Sequence, residues 1–225
     1  VSEIIWCAEI GSMHKGDKSL AFEMIRQAKE ANADIVKFQF GWTREAQLAR
    51  GHEYKAIRYV DEWADDLADW CKHFNIELMA SLWSLEGLET ARRVNMRRYK
   101  IAHQMKDQAL IDAIIGDGKP VFWSGHIGAK HAIWVSQKYP TYPSDLEGMP
   151  SQFFEGHYFG YSDHSHGIEA CLLAVARGAR YIEKHFCLDK TDLATRDTPF
   201  SADPREFAEM VRIGNGIERI LSVQV

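Results

Sequence analysis

The sequence predicts an α/β protein, a (β/α)8 TIM barrel, on three observations. Eight apolar, strand-like runs alternate with helix-period segments along 225 residues, with one exception between runs five and six. The run Asp34-Ile-Val-Lys-Phe-Gln-Phe40 is almost continuously apolar, as suits a strand covered on both faces. Ile168, Cys171, Leu172, Val175 and Ala176 fall at helical spacing between two such runs, with Gly178 as C-cap. Strand, helix and strand there make a parallel, right-handed unit. A doubly wound open sheet is the runner-up. Its dinucleotide-binding form would show GxGxxG in the first turn, and Gly11-Ser-Met-His-Lys-Gly16 does not.

In order, strand one is Ile4 to Ile10, and helix one runs from Lys18 to Ala31 with Leu20, Met24, Ala28 and Ala31 on one face. Strand two is Asp34 to Phe40, followed by a polar loop from Gly41 to about Tyr54. Helix two carries Val60, Trp63, Ala64, Leu67, Cys71 and Phe74 at core spacing. Strand three is Ile76 to Leu82, and Ser84 caps helix three, which runs to about Val94. Strand four is Arg98 to Ala102, helix four Asp107 to Ile115, strand five Pro120 to Ser124, and strand six His131 to Ser136. The gap between strands five and six is too short for a crossover helix, so that helix is expected to be reduced or missing. Pro140 to Gly160 reads as a loop with a helical turn at Ser151 to Phe154. Strand seven is Tyr158 to Ser162 and strand eight Tyr181 to Phe186. The last helix opens on the capping box Asp203-Pro204-Arg205-Glu206 and reaches about Leu221. One domain over 1–225 is expected.

Composition narrows the function. A hydrophobic share of 46% with 26% charged residues suits a globular protein with a sizeable core. A net charge of -5 without a basic run leaves no electrostatic footprint for nucleic acid. No apolar run approaches membrane-spanning length, and no signal peptide is expected, since the chain opens into the strand-like run at Ile4. Cys7, Cys71, Cys171 and Cys187 lack CxxC spacing and sit inside apolar patterns, which reads as reduced core cysteines of a cytoplasmic protein.

In a barrel, the C-terminal strand ends carry the chemistry. Those ends hold Glu9, then Lys37 and Gln39, Ser81, Lys100 and His103, Ser124 and His126, Ser136 to Tyr139, Ser162 to His164, and Glu183 to His185. His164 and His185, beside Asp163 and Glu183, can hold a divalent metal or move protons, or be two histidines satisfied by hydrogen bonds. Lys37 and Lys100 lie inside apolar strands, where an unpaired ammonium is costly to desolvate. Each is either half of an ion pair with Glu9 or Glu183, or part of a seat for phosphate and carboxylate with Ser81, Ser124 and Ser162.

Ala8-Glu9-Ile10-Gly11-Ser12, Val36-Lys37-Phe38-Gln39, Tyr99-Lys100-Ile101-Ala102, Gly160-Tyr161-Ser162-Asp163-His164 and Ile182-Glu183-Lys184-His185-Phe186 resemble the sialic acid synthase family over nearly the whole chain. The resemblance implies a (β/α)8 barrel transferase that condenses phosphoenolpyruvate with an N-acetylmannosamine-like aldose to a 2-keto sugar acid. Water adds to C2, C3 attacks the open-chain aldehyde, and phosphate leaves by C–O cleavage. It also implies that His164 and His185 bind Mn2+ or Mg2+, with Glu9 and Glu183 in acid/base and water-activating roles. Lys37 would meet the substrate carboxylate, Lys100, Ser81, Ser124 and Ser162 its phosphate, and Gln39, Tyr139 and Asp197 the sugar.

Departures from the family pattern gather on the acceptor side. Met13-His14 stands for Asn-His, and Arg196-Asp197 stands where the family has a Pro-Asp-His stretch. His103-Gln104-Met105 stands for a Ser-Gly-acidic stretch, and Ser124-Gly125-His126-Ile127 for Ser-Thr-Gly-Met. No C-terminal antifreeze-like domain is expected. Two alternatives stay open: a barrel that binds phosphoenolpyruvate and metal but has lost or changed turnover, and a metal-dependent aldolase or isomerase. A homo-oligomer is expected to cover the gap left by the missing helix, where Trp123 or Trp134 would face outward.

Overall fold

The computed structural model describes residues 3–42, 60–136, 138–193 and 195–223. The expected loop after strand two falls mostly outside them. Eight parallel strands close into a barrel in sequence order: β1 (Ile5–Glu9), β2 (Ile35–Phe40), β3 (Glu77–Leu82), β4 (Tyr99–Ile101), β5 (Val121–Ser124), β6 (His131–Val135), β7 (Gly160–Asp163) and β8 (Tyr181–His185). β8 pairs with β1 from Ile5↔Tyr181 to Glu9↔His185, so no sheet edge remains. The described helices are α1 (Lys18–Glu30), α2 (Ala64–Phe74), α3 (Leu85–Arg93), α4 (Gln108–Gly116), α5 (Glu169–Ala176) and α6 (Pro204–Val223).

At α1, α3, α4 and α6 the expected starts hold because a side chain takes free N–H groups there. Asp17 accepts from Ser19 and Leu20, Ser84 from Gly87, and Asp107 from Leu110. At α6 the box is reciprocal: Asp203 Oδ1 accepts from Glu206 N at 2.8 Å, and Glu206 Oε2 from Asp203 N at 3.1 Å. Within α5 the buried face is Ala170, Cys171, Ala174 and Val175, while Ala176 is exposed and Leu172 only half-buried. Small side chains let this helix lie close on the barrel, so size and not hydrophobicity alone set its inward face.

The period-2 alternation of the strands sorts the rest. Outward residues such as Trp6, Val36, Phe38, Tyr99 and Ile182 join the helices in the main core. Inward residues make two layers. Cys7, Ile35, Met79, Phe122, Ile133 and Tyr181 form an apolar plug, and one pleat further along come the polar strand ends.

β5 and β6 are joined by the six residues 125–130 with no helix, as expected, yet remain parallel, pairing Phe122↔His131 to Ser124↔Ile133. Gly125 (φ +76°) and Gly128 (φ +107°) turn the chain back in the left-handed region, and Gly125 N donates to Ile133 O. The expected outward Trp134 is instead only 9% exposed, covered by the segment that follows β6, with its ring tilted 35° to that of Tyr161. That segment forms a 3-10 turn at Pro143–Leu146, not a helical turn at Ser151 to Phe154. Phe153 N donates to Arg177 O beyond α5, which removes it from any local turn. Among the described residues no helix is long and apolar enough to cross a membrane, and all four cysteines are buried and outside any disulfide.

Candidate active site

The polar layer opens into a cavity of about 220 Å³ at the C-terminal end of the barrel. The residues to which the family resemblance gave roles line it: Glu9, Lys37, Gln39, Ser81, Lys100, Ser124, Tyr139, Ser162, His164, Glu183, His185 and Asp197. They meet because each sits at an inward position near a strand end or in the loop just beyond.

Charge at the cavity floor is arranged unevenly. Lys37 Nζ lies 2.5 Å from Glu9 Oε2, donates to Ser81 Oγ at 3.0 Å, and is 3.6 Å from Glu183 Oε1. Lys100 Nζ donates to Ser124 Oγ at 2.9 Å and lies 3.4 Å from Glu183 Oε2. Lys37 is thus half of an ion pair with Glu9, and both ammonium groups also line the open cavity. Glu183 takes hydrogen bonds from Ser162 at 2.8 Å and from Tyr181 at 2.5 Å.

These contacts separate the titrations. Burial disfavours the Glu183 carboxylate, but Lys100, Lys37 and the two hydroxyl donors outweigh it and hold Glu183 below the usual range. Burial raises Glu9, and Lys37 offsets only part of that. Burial likewise opposes charge on Lys37, but Glu183 and Glu9 together raise it. Lys100 lacks so close a carboxylate, and burial leaves it lowered, with Glu183 working the other way.

Above this floor, the rings of His164 and His185 lie 5.2 Å apart between centroids. The Nδ1 atom of each is buried without a hydrogen-bond partner, and Asp197 Oδ2 stands 3.7 Å from that of His185. Burial, and next the neighbouring His185, pull His164 well below the usual imidazole range, so it stays neutral as a metal ligand must. Two orphaned imidazole nitrogens beside a water-accessible cavity fit a divalent cation that completes its shell with substrate or water. Among the described residues no group of three or more His, Cys, Asp or Glu is placed to hold a metal ion, so the two histidines would be its protein ligands.

One expectation needs correction. Asp163 does not stand beside the histidines; alternation turns it to the outer face, where it pairs with Lys184 at 2.5 Å. Strand-end reasoning also missed Tyr181, although its position two residues before Glu183 puts it on the same face. Trp42 and Trp83, with ring centroids 4.6 Å apart, line the rim, as do His103 and Gln104. Met105 instead packs against the main core.

The chain is similar in sequence and fold to known proteins. The pseudaminic acid synthase of Campylobacter jejuni is 29% identical over 91% of this chain and 71% of its own. Human N-acetylneuraminate-9-phosphate synthase is 27% identical over 95% of this chain and 70% of its own. The crystal structure of the N-acetylneuraminic acid (sialic acid) synthetase of Leptospira borgpetersenii, in complex with citrate, superposes with a TM-score of 0.83 at 28% identity. It covers 98% of this chain and 85% of its own. The NeuB family model matches residues 24–136 and 135–225, and with that match the sialic acid synthase resemblance becomes membership: the chain belongs to the NeuB family.

Proposed function

We propose that this protein is a sugar acid synthase that condenses phosphoenolpyruvate with an N-acetylmannosamine-like aldose, giving a 2-keto sugar acid and phosphate. The observation that carries the reading is the pair of buried lysines, Lys37 and Lys100, each hydrogen-bonded to a strand-end serine and facing one cavity. Ammonium groups with short hydroxyl donors suit a ligand bearing both carboxylate and phosphate.

In this reading Lys37 meets the carboxylate, while Lys100, Ser81, Ser124 and Ser162 hold the phosphate. A Mn2+ or Mg2+ ion held by His164 and His185 would supply Lewis acidity toward the acceptor aldehyde. Glu9, raised by burial, is the carboxyl suited to hold and pass on a proton. Glu183, held ionised, is suited to orient water for addition at C2. Gln39, Tyr139 and Asp197 lie on the acceptor side, with the Tyr139 ring 3.9 Å from that of His164.

The test is to incubate protein, manganese and phosphoenolpyruvate with a panel of aldoses. Release of phosphate together with a keto acid is expected; no release with any aldose in metal-replete protein contradicts the reading. A binding barrel without turnover is the second reading, favoured by His103 and Gln104 on the acceptor rim. It predicts metal-dependent phosphoenolpyruvate binding and no release. The proposed setting is the cytoplasm. A homo-oligomer is proposed on the exposed Ile127, Tyr142 and Phe154 either side of β6, and monomeric light scattering at high concentration would contradict it.

A further inference from the structure

Glu183 lies between two ammonium groups yet makes close contact with neither. Its Oε1 is 3.6 Å from Lys37 and its Oε2 3.4 Å from Lys100, whereas a direct ammonium–carboxylate contact closes to about 2.7–2.9 Å. Neutral donors take its lone pairs instead: Ser162 on Oε1 at 2.8 Å and Tyr181 on Oε2 at 2.5 Å. Lys37 has a close carboxylate of its own in Glu9. Lys100 has none, and the Ser124 hydroxyl is its hydrogen-bond partner. An ammonium has three donors, so Lys100 keeps donors for a ligand in the cavity.

The Tyr181 hydroxyl is not free to swing. Its ring is wholly buried in the apolar plug, stacked on Phe122 at 4.4 Å between centroids and 28° between planes. We propose that Tyr181 is a positioning residue that draws Glu183 away from Lys100 and so keeps the Lys100 ammonium open to an anionic substrate. Without the phenol, Oε2 loses its donor and closes onto the nearest cation, which is Lys100. The ligand must then displace an internal ion pair to bind. Tyr181 touches no ligand in this scheme and acts through Glu183 and Lys100. The inference deepens the proposed function and rests on its assignment of Lys100 to the anion.

The experiment is a double-mutant cycle on the full chain with manganese present, titrating phosphoenolpyruvate and, separately, inorganic phosphate by calorimetry. Tyr181→Phe is expected to weaken both by about tenfold in the wild-type background and to change nothing in the Lys100→Met background. Tyr181→Met, which also lacks the donor, runs in parallel so that the result does not hang on the folding of one variant. A merely structural role would weaken binding equally in both backgrounds, and that outcome overturns the proposal. So does Tyr181→Phe binding like wild type while Lys100→Met binds weakly. If Lys100→Met itself binds both anions like wild type, the assignment of Lys100 fails, and this inference fails with it.

Discussion

Two sets of buried charge stand back to back on the barrel wall. On the outer face Asp163 is saturated. It takes Lys184 at 2.5 Å, Tyr161 at 2.6 Å, the Ser165 amide at 2.9 Å and the Ser165 hydroxyl at 2.7 Å, with Cys171 Sγ at 3.4 Å. Lys184 also donates to Ser165 O at 2.5 Å. On the inner face of the barrel, Glu183 stands off from both lysines, and Lys100 is left with one serine. The difference teaches that burial of charge does not by itself mark a site. A buried carboxylate tied to its own cation and several donors away from any cavity is structure; a pair that leaves donors facing a cavity is built to receive something.

The largest effect that separates the two faces is on stability. Lys184→Met leaves the Asp163 carboxylate buried without its cation and should cost about 3–5 kcal/mol, read by denaturant unfolding. A cost under about 1 kcal/mol, the range of an exposed pair, would erase the contrast.

Next comes the metal. His185→Ala should bring bound manganese down to background while leaving unfolding nearly unchanged, since the ring faces the cavity and not the packed layers. Normal metal content in the folded variant would show that the orphaned imidazole nitrogens serve something else.

A smaller effect comes from the helical layer. Burial alone raises the Cys71 thiol above its ordinary range. A group raised in the folded state contributes stability that is fully present below the unfolded pKa, about 8.5, and is lost as pH climbs toward the folded value. Melting temperature should therefore fall between pH 8 and pH 10, and Cys71→Ala should lessen that fall. The other three buried cysteines keep it from vanishing. An identical slope in the variant would mean that this thiol ionises as readily folded as unfolded.

Much of this was legible in the residues. Lysines, glutamates and histidines in otherwise apolar strands stand out, and the barrel's alternation sends Glu183 and His185 inward together. The missing helix was legible because six residues cannot form one with its turns. Asp163 was misread because adjacency in sequence to His164 is opposition in space on a strand. Tyr181 was passed over because a tyrosine in an apolar run looks like core, and it is core; only its hydroxyl, ending under Glu183, gives it a second role. The cover over Trp134 depends on long-range bonds such as Phe153 N to Arg177 O, which no local pattern announces.

The central claim is that the inner charges are a ligand seat, and Lys100→Met tests it most directly. Removing Lys100 does not strand Glu183, which keeps Tyr181, Ser162 and, more distantly, Lys37. Calorimetry and thermal unfolding of this one variant should show phosphoenolpyruvate binding weakened by about 1.5–3 kcal/mol, roughly tenfold to a hundredfold or more, with stability unchanged or improved. Unchanged phosphoenolpyruvate affinity together with a stability loss of about 3–5 kcal/mol would make Lys100 a structural ion like Lys184 and contradict the account.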